Sequence, residues 1–375
     1  MQKTLTIRYN SFNYSRALKK FMNTLLKPMH KSPLKTLHLI TTTFLDIKKP
    51  ILCELARQLP ISASYKYHLK RLWRFFSKSK FTLLDAYAGI IPYFLDWLKS
   101  RKYLEIIIDW TKVADYWVLC FSLPYSKRAI PLLWRVVDFR EDEEWQNLVV
   151  RECLGLFFGL VPQSLRFKVV VVADRGFGGA EFFRFLNELG VNYVIRVKGD
   201  VWVRCNSFSG SLRDISLAKD KVVWWQDVLY RKDGSVCVNL LAKYDATDPW
   251  YLVTNLGEVC DVVEIYGHRM RIEEGFRDFK HRDCFSLRVL GLRGVVKVEK
   301  MILVMAVAYM FVLLFGAACR KIRGLFQLVS TPEHKIRGKL LSDFRIGLAL
   351  LKRLPSSFYE CSNLFNFKKV CPKDA

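Results

Sequence analysis

Cysteine pairs at metal-ribbon spacing are missing from this chain: its ten cysteines include no CxxC. That argues against a zinc ribbon, and in a reducing compartment the thiols read as buried side chains rather than a disulfide framework. The six histidines form no HxxxH pair, and His268 and His281 flank a charged helical segment rather than suggest a metal site. No internal repeat or low-complexity stretch stands out, and the opening Met1-Gln-Lys-Thr-Leu-Thr-Ile-Arg has no signal-peptide core, so the expected location is the cytoplasm. Long apolar runs are scarce. Met301 to Ala318 has the length to span a bilayer, but basic residues on both sides blunt the orientation signal and a charged helix precedes it directly, so a buried core helix is expected and a membrane is not.

Acidic residues are few as well. Sixty Lys and Arg against 35 Asp and Glu leave a net charge of +25, and a polyanion backbone is the commonest reason for such an excess. Residues 1–99 hold 18 basic and 4 acidic residues, so +14 falls in about a quarter of the chain. Within that region Ile51 to Leu59 reads as a helix, Pro60-Ile-Ser as a turn, and Ser64 to Phe76 as a second helix carrying Lys66, His68, Lys70, Arg71 and Arg74. The pattern resembles a helix-turn-helix whose second helix enters the DNA major groove, although three-helix packing units share it without touching DNA. Lys66, Lys70, Arg71 and Arg74 are the expected DNA contacts.

With acids so scarce, their positions are informative. Tyr266, Arg269, Glu273 and Lys280 fall within roughly 60° of one face of a single helix at about 100° per residue, and Arg277 joins that face. Charges flanking Glu273 at i−4 and i+4 also describe a solvated, salt-bridged helix. Two further acids weigh against that bland reading, because each ends an apolar, β-branched run of core-strand length. Asp109 follows Tyr103-Leu-Glu-Ile-Ile-Ile, and Asp174 follows Phe167-Lys-Val-Val-Val-Val-Ala. After Asp174 come Arg-Gly-Phe-Gly-Gly and an amphipathic helix from Ala180 to Leu189.

Sites in α/β sheets gather at the carboxyl ends of strands, so Asp109, Asp174 and Glu273 form a candidate three-carboxylate cluster. Close carboxylates raise one another's pKa unless a cation neutralises them, and oxygen-only ligation suits Mg²⁺, with Mn²⁺ able to substitute. Two such ions about 3.5–4 Å apart clamp the attacking and leaving oxygens of a phosphodiester displacement.

These residues carry a resemblance: the chain resembles a DDE transposase of a bacterial insertion sequence, of the group with a Y-(2)-R-(3)-E-(6)-K motif, which Tyr266, Arg269, Glu273 and Lys280 fit without a gap. It covers roughly residues 100 to 320 and includes Arg128-Ala-Ile-Pro-Leu-Leu-Trp-Arg-Val-Val, similar to the third strand of the family's RNase H-like core. The resemblance implies that Asp109, Asp174 and Glu273 are the catalytic metal ligands and that Tyr266, Arg269 and Lys280 contact phosphates near the cleaved transposon end. It also implies a strand-rich insertion before the glutamate helix. On that insertion a Trp stacks with a flipped base in hairpin-forming relatives, and Trp250 matches the position; ordinary packing competes for it among ten tryptophans.

The expected fold is therefore α/β: an RNase H-like mixed sheet flanked by helices, with a strand-rich insertion and a helical N-terminal domain. The expected domains are a basic DNA-binding region at 1–99, a catalytic region at 100–330 with its insertion at about 201–256, and a helical tail at 331–375. The expected activity is cut-and-paste transposition. In it the protein binds terminal inverted repeats of double-stranded DNA, dimerises across two ends, and cleaves and transfers strands with Mg²⁺ into a target. Alternatives are a metal-dependent nuclease on the same fold and a transposase-derived DNA-binding protein without catalysis.

Overall fold

The runs Leu104–Val113, Val169–Ala173 and Asn192–Arg196 are apolar and rich in β-branched residues, and all three are strands buried in one sheet (β1, β4 and β5 below). The computed structural model describes residues 14–138, 144–218, 221–232, 236–244, 248–322, 325, 328–329 and 341–354. These divide into two compact units, residues 91–276 and residues 1–90 with 277–375.

In the unit 91–276, β1 (Leu104–Val113), β2 (Tyr116–Tyr125) and β3 (Arg128–Asp138) form an antiparallel meander. The helix α6 (Glu144–Leu160) follows and leads into β4 (Val169–Ala173) and, through α7 (Ala180–Glu188), into β5 (Asn192–Arg196). β1 pairs parallel with β4 and β4 parallel with β5, as crossover helices require. The strands β6 (Trp202–Cys205), β7 (Phe208–Ser211), β8 (Val222–Tyr230), β9 (Val236–Tyr244) and β10 (Pro249–Thr254) come next. They join the same sheet, with β10 antiparallel to β5, in the order β3-β2-β1-β4-β5-β10-β9-β8-β6-β7. This mixed ten-stranded sheet, flanked by helices and preceded by a helical region, matches the expected RNase H-like architecture with its strand-rich insertion. Residues 233–235, between β8 and β9, lie outside the described residues.

Each face of the sheet has its own cover. Ile107, Val172, Val194, Leu241 and Leu252 pack with Val262, Ile265, Tyr266 and Ile272 of α8 (Val259–Gly267) and α9 (Met270–Lys280). On the opposite face Phe183 of α7 stacks on Tyr193 at 5.4 Å and meets Tyr230 edge-on at 5.1 Å.

In the other unit, α1 (Ser15–Leu25), α2 (Lys31–Ile47), α3 (Leu52–Gln58) and α4 (Tyr65–Lys78) surround α10 (Val295–Arg320) together with α11 (Asp343–Leu350). Phe311 meets Tyr14 and Phe21, and Phe44 and Phe344 both meet Phe285. α10 is long and apolar enough to cross a membrane, but its most apolar 18-residue window is wholly buried within the protein. Gly316 and Gly347 let α10 and α11 touch backbone to backbone: a Cβ on Gly316 would sit 1.7 Å from the Asp343 carbonyl oxygen, and one on Gly347 2.1 Å from that of Val312.

The divisions at 90/91 and 276/277 fall inside α5 (Leu83–Trp97), the helix before β1, and inside α9 respectively, and α10 fills the core of the N-terminal helices. Residues 331–340 and 355–375 of the expected tail lie outside the described residues. Of the eight described cysteines, none is in a disulfide and four are buried, whereas Cys237 and Cys260 are exposed, so the expectation of buried thiols holds only in part.

Candidate active site

The parallel register brings the first two acids level. Ile107 pairs with Val172 and Val172 with Val194, so Asp109, Asp174 and Arg196 each lie two residues further along three adjacent strands and point to one face. Asp109 does not end its strand, as the sequence suggested. Pairing with β2 carries β1 on to Val113, with Asp109 opposite Cys120, while the parallel neighbour β4 stops at Ala173. Asp174 turns the chain: its carboxylate accepts from the Gly176 N–H at 2.9 Å and caps a short 3₁₀ turn before α7. Asp109 accepts from the Trp110 N–H at 2.8 Å.

The motif segment is two helices rather than one. α8 ends at Gly267, and the N–H groups of His268, Arg269, Arg271 and Ile272 each bond three residues back, tightening the chain before α9 sets in. Tyr266 therefore closes α8, Arg269 sits at the junction, and Glu273 lies in the first turn of α9. The junction is fixed to β1 by His268, whose Nδ1 is 2.7 Å from Glu105 Oε2. Glu105 is two and four residues before Ile107 and Asp109, on the same strand face.

Arg269 links the acids. Its Nη2 donates to Glu273 Oε1 at 2.7 Å, and its Nη1 lies 3.9 Å from Asp109 Oδ2. Burial, then the neighbouring Asp174 charge, pushes Asp109 up to about 7; Arg269 opposes the rise and Glu273 adds to it. Burial likewise raises Tyr266, with Arg269 and Arg196 acting against it. The site thus gathers more negative charge than one guanidinium neutralises. Three oxygen-donor acids with such an excess fit a hard divalent cation in kind. Among the described residues, however, no three acidic, histidine or cysteine side chains stand close enough together to enclose an ion.

Trp250 is half-buried and packs edge-on to Tyr266 at 4.9 Å, as part of the core under α8. Arg277, exposed, and Lys280, half-buried, lie in the last turn of α9, beyond the unit division. In the N-terminal unit, α3 and α4 occupy the positions expected for the two helices. Buried His68 ties them, with Nδ1 2.9 Å from the Ala56 carbonyl and Nε2 3.1 Å from that of Ile61. Ser64 caps α4 by accepting from the Tyr67 N–H. That leaves Lys66, Lys70 and Arg74 exposed and Arg71 half-buried. Lys70, Arg71 and Arg74, joined by Lys78 and Lys80, line a cleft of about 920 Å³.

Sequence reasoning passed over Arg196 and Glu105. Arg196 ends the apolar run Tyr193-Val-Ile just as Asp174 ends its own, and that repeated pattern was the available signal. Glu105 interrupts an apolar strand, but only the fold supplies its partner His268.

A family model described as Transposase DDE domain matches residues 159–311, about two fifths of the chain. The match takes in Asp174, Tyr266, Arg269, Glu273 and Lys280 and begins after Asp109. It supports a transposase of the DDE kind, a family of nucleases that acts on DNA and typically uses a divalent metal. No curated protein matches the chain.

Proposed function

We propose that this protein is the transposase of an insertion sequence, of the group with the Y-(2)-R-(3)-E-(6)-K motif, and that Asp109, Asp174 and Glu273 are its catalytic carboxylates. The observation that carries the reading is the level placement of Asp109 and Asp174 on adjacent parallel strands, with Arg269 joining Asp109 to Glu273, in a chain whose central part matches a transposase domain. Asp109, Asp174 and Glu273 would hold divalent cations, Mg²⁺ or Mn²⁺ in its place, which would supply positive charge to the reacting phosphate.

The remaining work falls to the protein's own groups. Arg269, as a planar fork, and Lys280, as a point charge, hold phosphates next to the scissile bond, with Arg277 beside them and the Tyr266 hydroxyl giving one hydrogen bond. Trp250 serves as a stacking platform for an extruded base, for which it must leave its contact with Tyr266. The exposed face of α4, with Lys66, Lys70, Arg71 and Arg74, grips the terminal inverted repeat, within a basic DNA-binding region at residues 1–99. Two copies act on two ends.

Hydrolysis breaks the bond between phosphorus and the 3′-oxygen at the element's end, leaving a 3′-hydroxyl on the element and a 5′-phosphate on the flank. In strand transfer that hydroxyl bonds to a target phosphorus, the target's own 3′-oxygen departs, and no protein nucleophile takes part.

The test is cleavage of a supercoiled plasmid carrying the element's own ends, in Mg²⁺, by the native protein and by Asp109→Ala, Asp174→Ala and Glu273→Ala. End-specific cuts that vanish in all three variants support the reading. Unspecific cutting that vanishes in them indicates a nuclease, cutting that persists rejects the site, and binding without cutting indicates a DNA-binding remnant.

A further inference from the structure

Two adjoining clefts lie within the unit 91–276, a larger one on the side of the sheet away from α8 and α9 and a smaller one at the ends of β5 and β10, where Arg196 of the acids' face also lines it. One, of about 420 Å³, is lined by Arg175, Lys198 and Arg213; the other, of about 740 Å³, shares Arg175 and Lys198 and adds Arg184, Arg231 and Lys232. Their placement follows from the strand alternation. Tyr251 lines the smaller cleft while its neighbour Trp250 packs under α8, and the larger opens at the start of α7, the helix of the opposite face.

These six cations are exposed, whereas Arg196 in the smaller cleft and Arg151 in the larger are half-buried. The acids among them are few and mostly engaged: Glu181 lies 3.6 Å from Arg151, and Asp248 accepts from Arg196, which leaves Asp200 between the two clefts. The turn between the clefts is held in place by the Tyr230 hydroxyl, which donates to the Gly178 carbonyl at 2.8 Å. The track begins at Arg175, next to Asp174, and runs on past the start of α7.

We infer that this track binds the backbone of target DNA, a partner that the motif residues do not serve. The inference rests on the transposase reading. A phosphodiester in the site has two sides, and the motif residues take the side of the element's end. In strand transfer the element's 3′-hydroxyl attacks a phosphorus that belongs to the target. That phosphorus must occupy the place the flank's phosphate held at cleavage, since both steps make or break the bond to the same 3′-oxygen. The target backbone therefore leaves the acids on the side opposite the end, where the six cations lie. Their exposure and the scarcity of acids among the described lining residues suit a polyanion that comes and goes, rather than a buried anion.

The test uses the full chain and the double variant Arg213→Glu with Lys232→Glu, first shown to keep the native thermal transition. Binding of a precut end duplex is measured by fluorescence anisotropy, and transfer of precut ends into a plasmid by gel. The expected result is end binding within about twofold of native, transfer lowered about tenfold or more, and a salt dependence of target capture shallower by about two in log–log slope. An equal loss in precut-end binding overturns the inference by making the track an end site. Unchanged transfer overturns it as well, and if cleavage of flanked ends falls while transfer does not, the track holds the donor flank instead. Failure of the native protein to bind ends or transfer them counts against the transposase reading itself, not the track.

Discussion

Replacing Asp109 by Asn removes a carboxyl that the fold raises from 3.8 to about 7. Because the folded value lies above the unfolded one, the unfolded chain gives up this proton first. Stability falls by about 1.4 kcal/mol per pH unit between about pH 4 and 7 and is level above that. Across the whole window the loss approaches about 4 kcal/mol, set first by burial and then by Asp174. Asn cannot ionise, so Asp109→Asn lacks this loss and, in the absence of divalent ions, melts higher than the native protein at pH 8, on the order of 8–16 °C for a unit of this size. At pH 4.5 only about 1 kcal/mol is lost, and the two differ by about 2–4 °C. Thermal unfolding followed by circular dichroism in EDTA checks this, and millimolar Mg²⁺ is expected to raise the native protein at pH 8 and leave the variant unmoved. Equal melting at pH 8, or a gain of the same size at both pH values, refutes a buried carboxylate strained by its neighbours.

Three further outcomes are expected. Arg269→Gln removes the cation joining Asp109 and Glu273, so Mn²⁺ titrated calorimetrically without DNA binds about tenfold tighter while end affinity drops. Gly316→Ala forces α10 off α11 and costs at least about 2–3 kcal/mol in urea unfolding, whereas Gly159→Ala, with open space around it, is neutral or slightly stabilising. Lys70→Glu with Arg74→Glu weakens end binding and lowers its salt slope by about two in anisotropy titrations, with the fold intact because both side chains are exposed.

Fold class was legible because its signals are local. The valine run before Asp174, the isoleucine run before Asp109 and the alternating strands after Val201 declare a sheet, and the uninterrupted apolar stretch at 301–318 declares a core helix. Long-range facts were not legible. No property of the sequence 295–320 says that it completes the core around Tyr14, Phe21 and Phe44 rather than the sheet that precedes it. The break between α8 and α9 was hidden because Gly267 and His268 are tolerated in helices, and only the docking of His268 on Glu105 selects the tightened turn. For the site, spacing pointed to Glu273 and strand ends pointed to Asp109 and Asp174. The register that sets Arg196 beside Asp174 depends on strand order, which periodicity does not encode.

The burial of α10 among the N-terminal helices bears on how the chain is made. Residues up to 90 leave the ribosome long before residue 295, and until then Phe21, Met22 and Ile40 have no partner helix to close over. The unit 91–276 can complete its sheet first, so the basic helices mature last. A nascent chain thus organises its basic N-terminal helices only once Asp109, Asp174 and Glu273 have already been synthesised, and a chain that stops before α10 keeps those acids but lacks the core that orders the basic helices.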